Sequence, residues 1–262
     1  VAYYNALVAL EAGERGVHLP YKPAGWDKLP DHCKDPDGLW FCVHQGVIGF
    51  VVNTDALKKA NVPVPQCWKD LLDPRYKGLV AYDDPTVHGT AMEAIFAANL
   101  GAGGSTKDFK PGLEYLKKLD ANVLRYSRDS SYNPTLRGEI GIWLHADGSG
   151  YKMKWEDKGP IEVVIPCEGT VSVPLAMGMV KWAKRPELAK AYLDWLVSPE
   201  AQGIWADSYW VPIIPEFMSE QARQRMKPLH GSYDLIKPVS IAEKKAMIGD
   251  YRTAWRDQIR RQ

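Results

Sequence analysis

An α/β fold is predicted for this 262-residue chain from two features of residues 46–91. The first is alternation: an apolar strand run ending at Asn53-Thr54 leads to a short helix, a Pro-punctuated loop, a second helix, a Gly-ended turn, another strand and a polar helix start. The second is the gathering of polar groups where strands stop, above all in Asp83-Asp84-Pro85-Thr86-Val87-His88-Gly89-Thr90. Open α/β sheets bind ligands at the carboxyl ends of their strands, so that turn is the first candidate for ligand contact.

The elements follow from periodicity and punctuation. Residues 7–12 read as a short helix, 40–52 as a strand run, 55–60 and 67–72 as helices. Residues 79–82 are short, apolar and bounded by Gly78 and Asp83, as a buried strand is. The Ala-rich segment 90–100 predicts a helix ending at Gly101-Ala102-Gly103-Gly104, and 111–119 an amphipathic one carrying Leu113, Leu116 and Leu119. Strands are expected over 138–144 and 161–165. Pro186 opens a helix over 186–197 with Leu188, Ala189, Tyr192, Leu193 and Leu196 at helical spacing, and 241–259 is again amphipathic helix. No internal repeat or low-complexity tract interrupts the pattern.

Composition narrows the function classes. A hydrophobic content of 45% over this length suffices for one large core or two modest ones. The formal net charge is +1 and no block of like charge stands out beyond Arg260-Arg261, which argues against nucleic acid or an anionic membrane as the partner and for a small molecule. No apolar run reaches the ~20 residues that cross a bilayer, and no charged-then-apolar leader opens the chain. The sequence opens on Val1, not Met, so a missing N-terminal piece is expected.

Four cysteines, Cys33, Cys42, Cys67 and Cys167, match no zinc spacing. Cys33 and Cys42 flank the turn-rich Asp35-Pro36-Asp37-Gly38 and are placed either to close a small disulfide ring or to remain thiols; Cys67, at a helix start, reads as structural.

Several motifs together resemble a known family. Asn53-Thr54-Asp55 after an apolar strand, Trp68-Lys69-Asp70-Leu71-Leu72-Asp73-Pro74 with Tyr76-Lys77-Gly78, Asp84-Pro85 with a Gly-Thr pair, Gly138-Glu139-Ile140, Ile165-Pro166-Cys167-Glu168-Gly169-Thr170, and the 186–196 helix followed by Ser198-Pro199-Glu200-Ala201-Gln202 are similar to the extracellular solute-binding proteins of bacterial ABC importers. The subgroup resembled takes up iron(III), thiamine, polyamines, phosphonates or sugar phosphates. The resemblance implies a periplasmic-binding-protein-like fold of type II, with two α/β lobes joined by hinge strands and the ligand in a cleft between them. It also implies that the first β-α unit, which members carry before a segment like Ala2 to Leu7, is absent here, so that the sequence is a fragment. Lobe 1 is expected over 1–51 and 160–262 and lobe 2 over 52–159, with crossings near 50–53 and 159–165. The expected partners are a small-molecule solute and an inner-membrane permease, the expected state a monomer, the expected location periplasmic or extracellular and membrane-tethered. No cofactor and no metal are expected.

Five segments are candidates for ligand contact. Tyr4 and Asn5 offer an aromatic wall and an amide, against half-buried tyrosines as the bland reading. His44-Gln45 interrupts an apolar strand run, as a pocket residue or a satisfied core histidine. Thr86, His88, Gly89 and Thr90 lie at a helix start, where capping and anion binding use the same donors. Arg128, Ser130, Ser131 and Tyr132 form a polar loop in which Arg128 could fork a carboxylate or phosphate, or be neutralised by Asp129. His145 and Asp147, in Gly-rich chain after a strand, suit a pocket floor or a plain polar turn, and Glu168 is a weaker candidate.

On ligand class, the polyamine-binding relatives carry Trp and Asp where this chain has Val171-Ser172-Val173-Pro174-Leu175, and ferric-binding relatives present a late tyrosine pair where Ser208-Tyr209-Trp210 supplies one. Thr- and Ser-rich helix starts with Arg128 and His88 tilt the reading to a small organic anion such as a carboxylate, phosphonate or phosphate ester. The alternatives are a cationic ligand (polyamine, thiamine), ferric iron, or an enzyme or sensor on the same fold. Asp84, His88, Asp129, His145 and Asp147 would be its acid/base set, but no nucleophile elbow, zinc-protease, P-loop or dinucleotide motif accompanies them.

Overall fold

The computed structural model describes residues 1–225 and 239–260. Along the chain, β1 (Ala2–Asn5) leads into α1 (Ala6–Glu14), whose first turn is capped by Asn5 Oδ1 accepting from Leu7 N at 2.9 Å. A two-residue strand β2 (His18–Leu19) precedes two 3₁₀ turns and the long strand β3 (Phe41–Asn53). Asn53 ends β3 and caps α2 (Thr54–Ala60), its Oδ1 accepting from Ala56 N while its Nδ2 donates to the Thr135 carbonyl. After two more 3₁₀ turns, the first over Trp68–Leu72, come β4 (Val80–Asp83), α3 (Gly89–Gly101), α4 (Lys110–Leu119), β5 (Val123–Ser127), α5 (Tyr132–Leu136), β6 (Ile142–Ala146) and α6 (Asp147–Trp155). The chain continues through β7 (Ile161–Val164), β8 (Ser172–Val180), α7 (Pro186–Leu196), α8 (Pro199–Asp207), β9 (Val211–Pro212), α9 (Glu220–Arg225) and α10 (Ile241–Gln258). Pro186 and Pro199 each sit in a first helical turn, where a missing N–H costs nothing.

The described residues fall into two compact units. One comprises 1–46, 173–225 and 240–242, the other 47–172, 239 and 243–260. These limits differ from the expected crossings. The return strand β7 stays with the second unit because it pairs antiparallel with β3, Phe50 opposite Val164 through Asn53 opposite Ile161. The expectation that the C-terminal helix joins the first lobe is likewise corrected: most of α10 belongs to the second unit, held there by Lys244, Tyr251 and Trp255.

In the first unit, β1 and β2 pair antiparallel with β8, and β9 pairs with the opening of β3. Gln202 of α8 fastens the β3 chain by donating to the Val43 carbonyl at 3.0 Å. In the second unit, β4 runs parallel to both β5 and β6, while β6 and β7 pair antiparallel with β3. This parallel trio puts the ends of three strands, at Asp83, Ser127 and Ala146, on one edge of its sheet. Val51, Ala81, Ile140, Trp143, Met153 and Ile161 pack as a core cluster beneath it. None of the described helices is long and apolar enough to cross a membrane.

Two sequence readings are resolved by the structure. The Gly-rich stretch after β6 is not a turn: Asp147 opens the helix α6, and its Gly150 lies so close to the sheet that a Cβ there would come within 2.5 Å of Val163 Cγ2. The disulfide joins Cys67 to Cys167, 100 residues apart, and not Cys33 to Cys42, both of which are buried thiols. Sequence spacing left the short ring and a pair of thiols both open; the fold brings the residues after β7 against the Trp68–Leu72 turn, where Cys167 N donates to the Gln66 carbonyl. Glu168 serves the same junction, its carboxylate accepting from Trp68 N and Lys69 N at 2.7 and 3.1 Å.

Candidate functional site

The strand ends of the second unit gather the strongest candidates. Asp83, the last residue of β4, is 4% exposed; its Oδ1 accepts from the Ser131 hydroxyl at 2.7 Å. Burial raises its carboxyl above the usual range, countered by the Ser131 hydrogen bond and by His88. Across from it stands His145 of β6, with Nδ1 3.9 Å from Asp83 Oδ2. That is too long for a hydrogen bond. Residues two apart on a strand share a face, and the His145 ring lies stacked on Trp143, centroids 3.8 Å apart. Burial lowers His145 to about 3, so the ring is neutral at pH 7 and the pair is not an ion pair. Its Nδ1 is buried without a hydrogen-bond partner among the described residues, although 17% of the side chain reaches solvent. Two polar atoms that face each other without bonding can share a hydroxyl or amine supplied by a third group.

The turn after β4 is organised by Asp84, 1% exposed. Its Oδ1 accepts from Thr86 N and from the Thr86 hydroxyl at 2.9 and 2.6 Å, so Thr86 closes an Asx turn and does not cap α3. His88 is the residue before α3 and provides no side-chain cap; its Nε2–H donates instead to the Arg128 carbonyl at 2.8 Å. Gly89 and Thr90 form the first turn of α3, where N–H groups need partners from outside the helix. Arg128 and Asp129 are both exposed. Ser130 is exposed and accepts from Tyr132 N at 3.3 Å; the Tyr132 hydroxyl is drawn away to Asp157 at 2.5 Å.

Asp147 is fully buried at the start of α6, with Oδ1 accepting from Val47 N at 2.9 Å and Oδ2 without a partner among the described residues. Its role in the structure is to hold α6 against β3. Burial pushes its pKa up from 3.8 to about 7. The native state then retains a proton that the unfolded chain releases, so the penalty for ionising Asp147 is absent below 3.8, grows as pH rises and is complete above about 7. Chemical denaturation of wild type and Asp147→Asn between pH 4 and 8 is expected to show their stability difference moving steadily in the variant's favour as pH rises. A difference that stays flat would mean Asp147 is ionised throughout.

The remaining candidates lie in the first unit. Tyr4 lies in β1 opposite Ala176, its ring 5.7 Å from His18, and Asn5 caps α1. His44 is buried in an aromatic cluster, with Nε2 bonded to the Tyr3 hydroxyl at 2.6 Å and ring centroids 4.2 and 4.9 Å from Trp205 and Trp210. Burial lowers its pKa to about 3, as for a neutral core imidazole. Gln45 pairs with Val211 through the backbone. Sequence reasoning placed Asp83 in the first candidate turn without singling it out, and passed over Trp143 and Trp205. A charged residue ending an apolar strand was a visible signal for the first.

The fold is that of the type II periplasmic binding proteins. The periplasmic binding protein AfuA from Actinobacillus pleuropneumoniae, whose structure has fructose-6-phosphate bound, superposes with a TM-score of 0.81 at 25% identity, covering 98% of this chain and 81% of that one. The family model for bacterial extracellular solute-binding proteins matches residues 5–233, and the chain belongs to that family. An uncharacterised protein of Haemophilus influenzae is 32% identical over 252 residues, 91% of this chain and 70% of that protein. A spermidine/putrescine-binding periplasmic protein of Salmonella typhimurium is 28% identical over 172 residues, 64% of this chain. The chain spans 47% of the length of this second relative. AfuA and the Salmonella typhimurium relative are binding proteins, and further solved structures of the same fold are substrate-binding proteins of ABC transporters.

Proposed function

We propose that this chain captures a small polar solute for an ABC importer, acting as a monomer in the periplasm or tethered outside the membrane. The solute is a small organic anion that also carries hydroxyl or amino donors, such as a sugar phosphate or an aminophosphonate. The observation that carries this reading is the buried Asp83 carboxylate facing the neutral, unbonded Nδ1 of His145 at the ends of neighbouring parallel strands. Those atoms take donors from a guest. The anionic end is supported by the uncapped start of α3 and the exposed Arg128, whose carbonyl is tied to His88. Fructose-6-phosphate, present in the AfuA structure, has both features. Tyr4, Asn5, His44, Gln45, Ser130 and Tyr132 remain expectations of weaker support, because the structure gives each a local role.

Thermal-shift and calorimetric titration of the chain with fructose 6-phosphate, 2-aminoethylphosphonate, putrescine, spermidine, thiamine and ferric citrate tests the proposal. A phosphorylated or phosphonate solute is expected to raise the melting temperature, by about 2.7 kcal/mol of stabilisation at a hundredfold excess over Kd. His145→Ala should weaken it about tenfold, the worth of one hydrogen bond in a dry site. Stabilisation by polyamines or ferric citrate alone, or a silent His145→Ala, overturns the ligand class. Conversion of the bound solute to a product would make the protein an enzyme.

A further inference from the structure

We infer that Arg260, just past the end of α10, is a positioning residue for the solute site, and this inference rests on the placement of that site proposed above. Arg260 Nη1 binds Asp84 Oδ2, the carboxylate oxygen that the Thr86 turn leaves over. Asp84 is the hub of the loop: its N–H donates to the Ser127 carbonyl at 2.7 Å, its own carbonyl accepts from His88 N at 2.9 Å, and its Oδ1 holds Thr86. Through these bonds it sets where β4 stops, where α3 starts and where His88 meets the Arg128 carbonyl. Arg260 is therefore joined to every part of the loop through one side chain.

The approach of Arg260 is fixed by its own helix. Trp255 is fully buried, and its Nε1–H donates at 2.9 Å to the hydroxyl of Tyr82, which lies on β4 two residues before Asp84. Tyr126 of the neighbouring strand β5 packs edge-on against both rings. Arg260 N–H bonds back to the Trp255 carbonyl at 3.1 Å, so the indole anchors the turn that carries the guanidinium. Only 28% of the Arg260 side chain is exposed. A guanidinium so placed neutralises a carboxylate that is otherwise shut away from water. Its removal would leave Asp84 with a buried, uncompensated charge, relieved by opening the loop toward solvent.

The test compares Arg260→Gln, Arg260→Lys, Asp84→Asn and the double variant Arg260→Gln/Asp84→Asn, all in the full chain, by hydrogen–deuterium exchange. In Arg260→Gln, amides of residues 86–90 are expected to exchange at least tenfold faster, while those of β3 and β7 keep the wild-type rate. Arg260→Lys should restore most of the protection, and in the double variant the effect should fall below the sum of the two singles. Wild-type exchange over 86–90 in Arg260→Gln, or an equal rise across the whole chain, overturns the inference. The same variants are titrated with fructose 6-phosphate and 2-aminoethylphosphonate. A solute that stabilises wild type should bind Arg260→Gln at least fivefold more weakly and Arg260→Lys nearly as well as wild type; equal affinity for Arg260→Gln counts against the positioning role. If neither solute stabilises wild type while the loop effect is present, the ligand class fails and the control of the loop by Arg260 is supported.

Discussion

Replacing Cys67 and Cys167 together by serine is expected to lower the unfolding free energy by about 2–5 kcal/mol. The bond spans 100 residues of sequence, and on the chain-entropy account a loop of that size gives the unfolded chain roughly 4.7 kcal/mol of freedom when opened. The native side of the balance changes less, because the junction has other ties. Trp68 is buried and its Nε1–H donates to the Gly169 carbonyl at 3.0 Å; the Glu168 carboxylate caps the same turn, and the Thr170 hydroxyl donates to the Ile48 carbonyl at 2.6 Å. These bonds keep the segment in place after the sulfurs are removed, so the loss should appear as a lower denaturant midpoint with the fold retained. Urea unfolding of oxidised wild type, reduced wild type and the double serine variant decides it. The last two should unfold together, both well before the first. Coincident midpoints for oxidised and reduced wild type would show that the bond is absent in solution or carries no stability.

The disulfide also marks a limit of what the sequence could reveal. Cys33 and Cys42, with eight residues and a turn between them, could be read as paired or as thiols, because pairing depends on Cα atoms meeting in space, and Cys67 and Cys167 do so at 4.8 Å. Periodicity did locate most long elements: α3, α4, α7 and α10 fall within a residue or two of the segments expected. α4, α7 and α10 carry an apolar stripe, α4 and α7 with a Pro in the first turn, and α3 is Ala-rich and ends at a glycine cluster. It passed over α6, because Asp147-Gly148-Ser149-Gly150 reads as a turn by composition, and the helix there depends on Gly150 fitting against Val163 and Val51. It also passed over β5, a strand with Leu124 and Arg125 exposed and hence no clean alternation. Of the candidate residues, the neighbourhood of His88, Arg128, Ser131 and His145 was legible, since each follows or ends a strand. The division of labour among them was not. Thr86 is occupied by Asp84 in a local Asx turn, and Tyr132 by Asp157, a partner 25 residues on that no local pattern identifies.

Lys244→Met is expected to destabilise the protein by about 3–5 kcal/mol, whereas Lys244→Met combined with Glu93→Leu should recover most of that loss. Lys244, Met247, Ile248, Tyr251 and Trp255 line the buried stripe of α10, and Lys244 is the one cation among them. Glu93 stands in the same way inside the apolar run Ala91 to Ala98 of α3. Two charges in two apolar faces carry opposite signs, and Lys244 Nζ lies 2.7 Å from Glu93 Oε2 with both side chains at most 2% exposed. Removing the lysine alone takes the cation from a carboxylate in a dry interior and a 2.7 Å donor from the Ser172 carbonyl. Removing both charges still leaves that carbonyl to be reconciled, and apolar side chains of similar volume regain burial. The physical claim is one of coupling: each residue is costly without the other and dispensable with it. A double-mutant cycle by guanidinium denaturation measures this directly, and an interaction energy near zero, with the two single losses simply adding, would show that α10 is held by its apolar stripe alone.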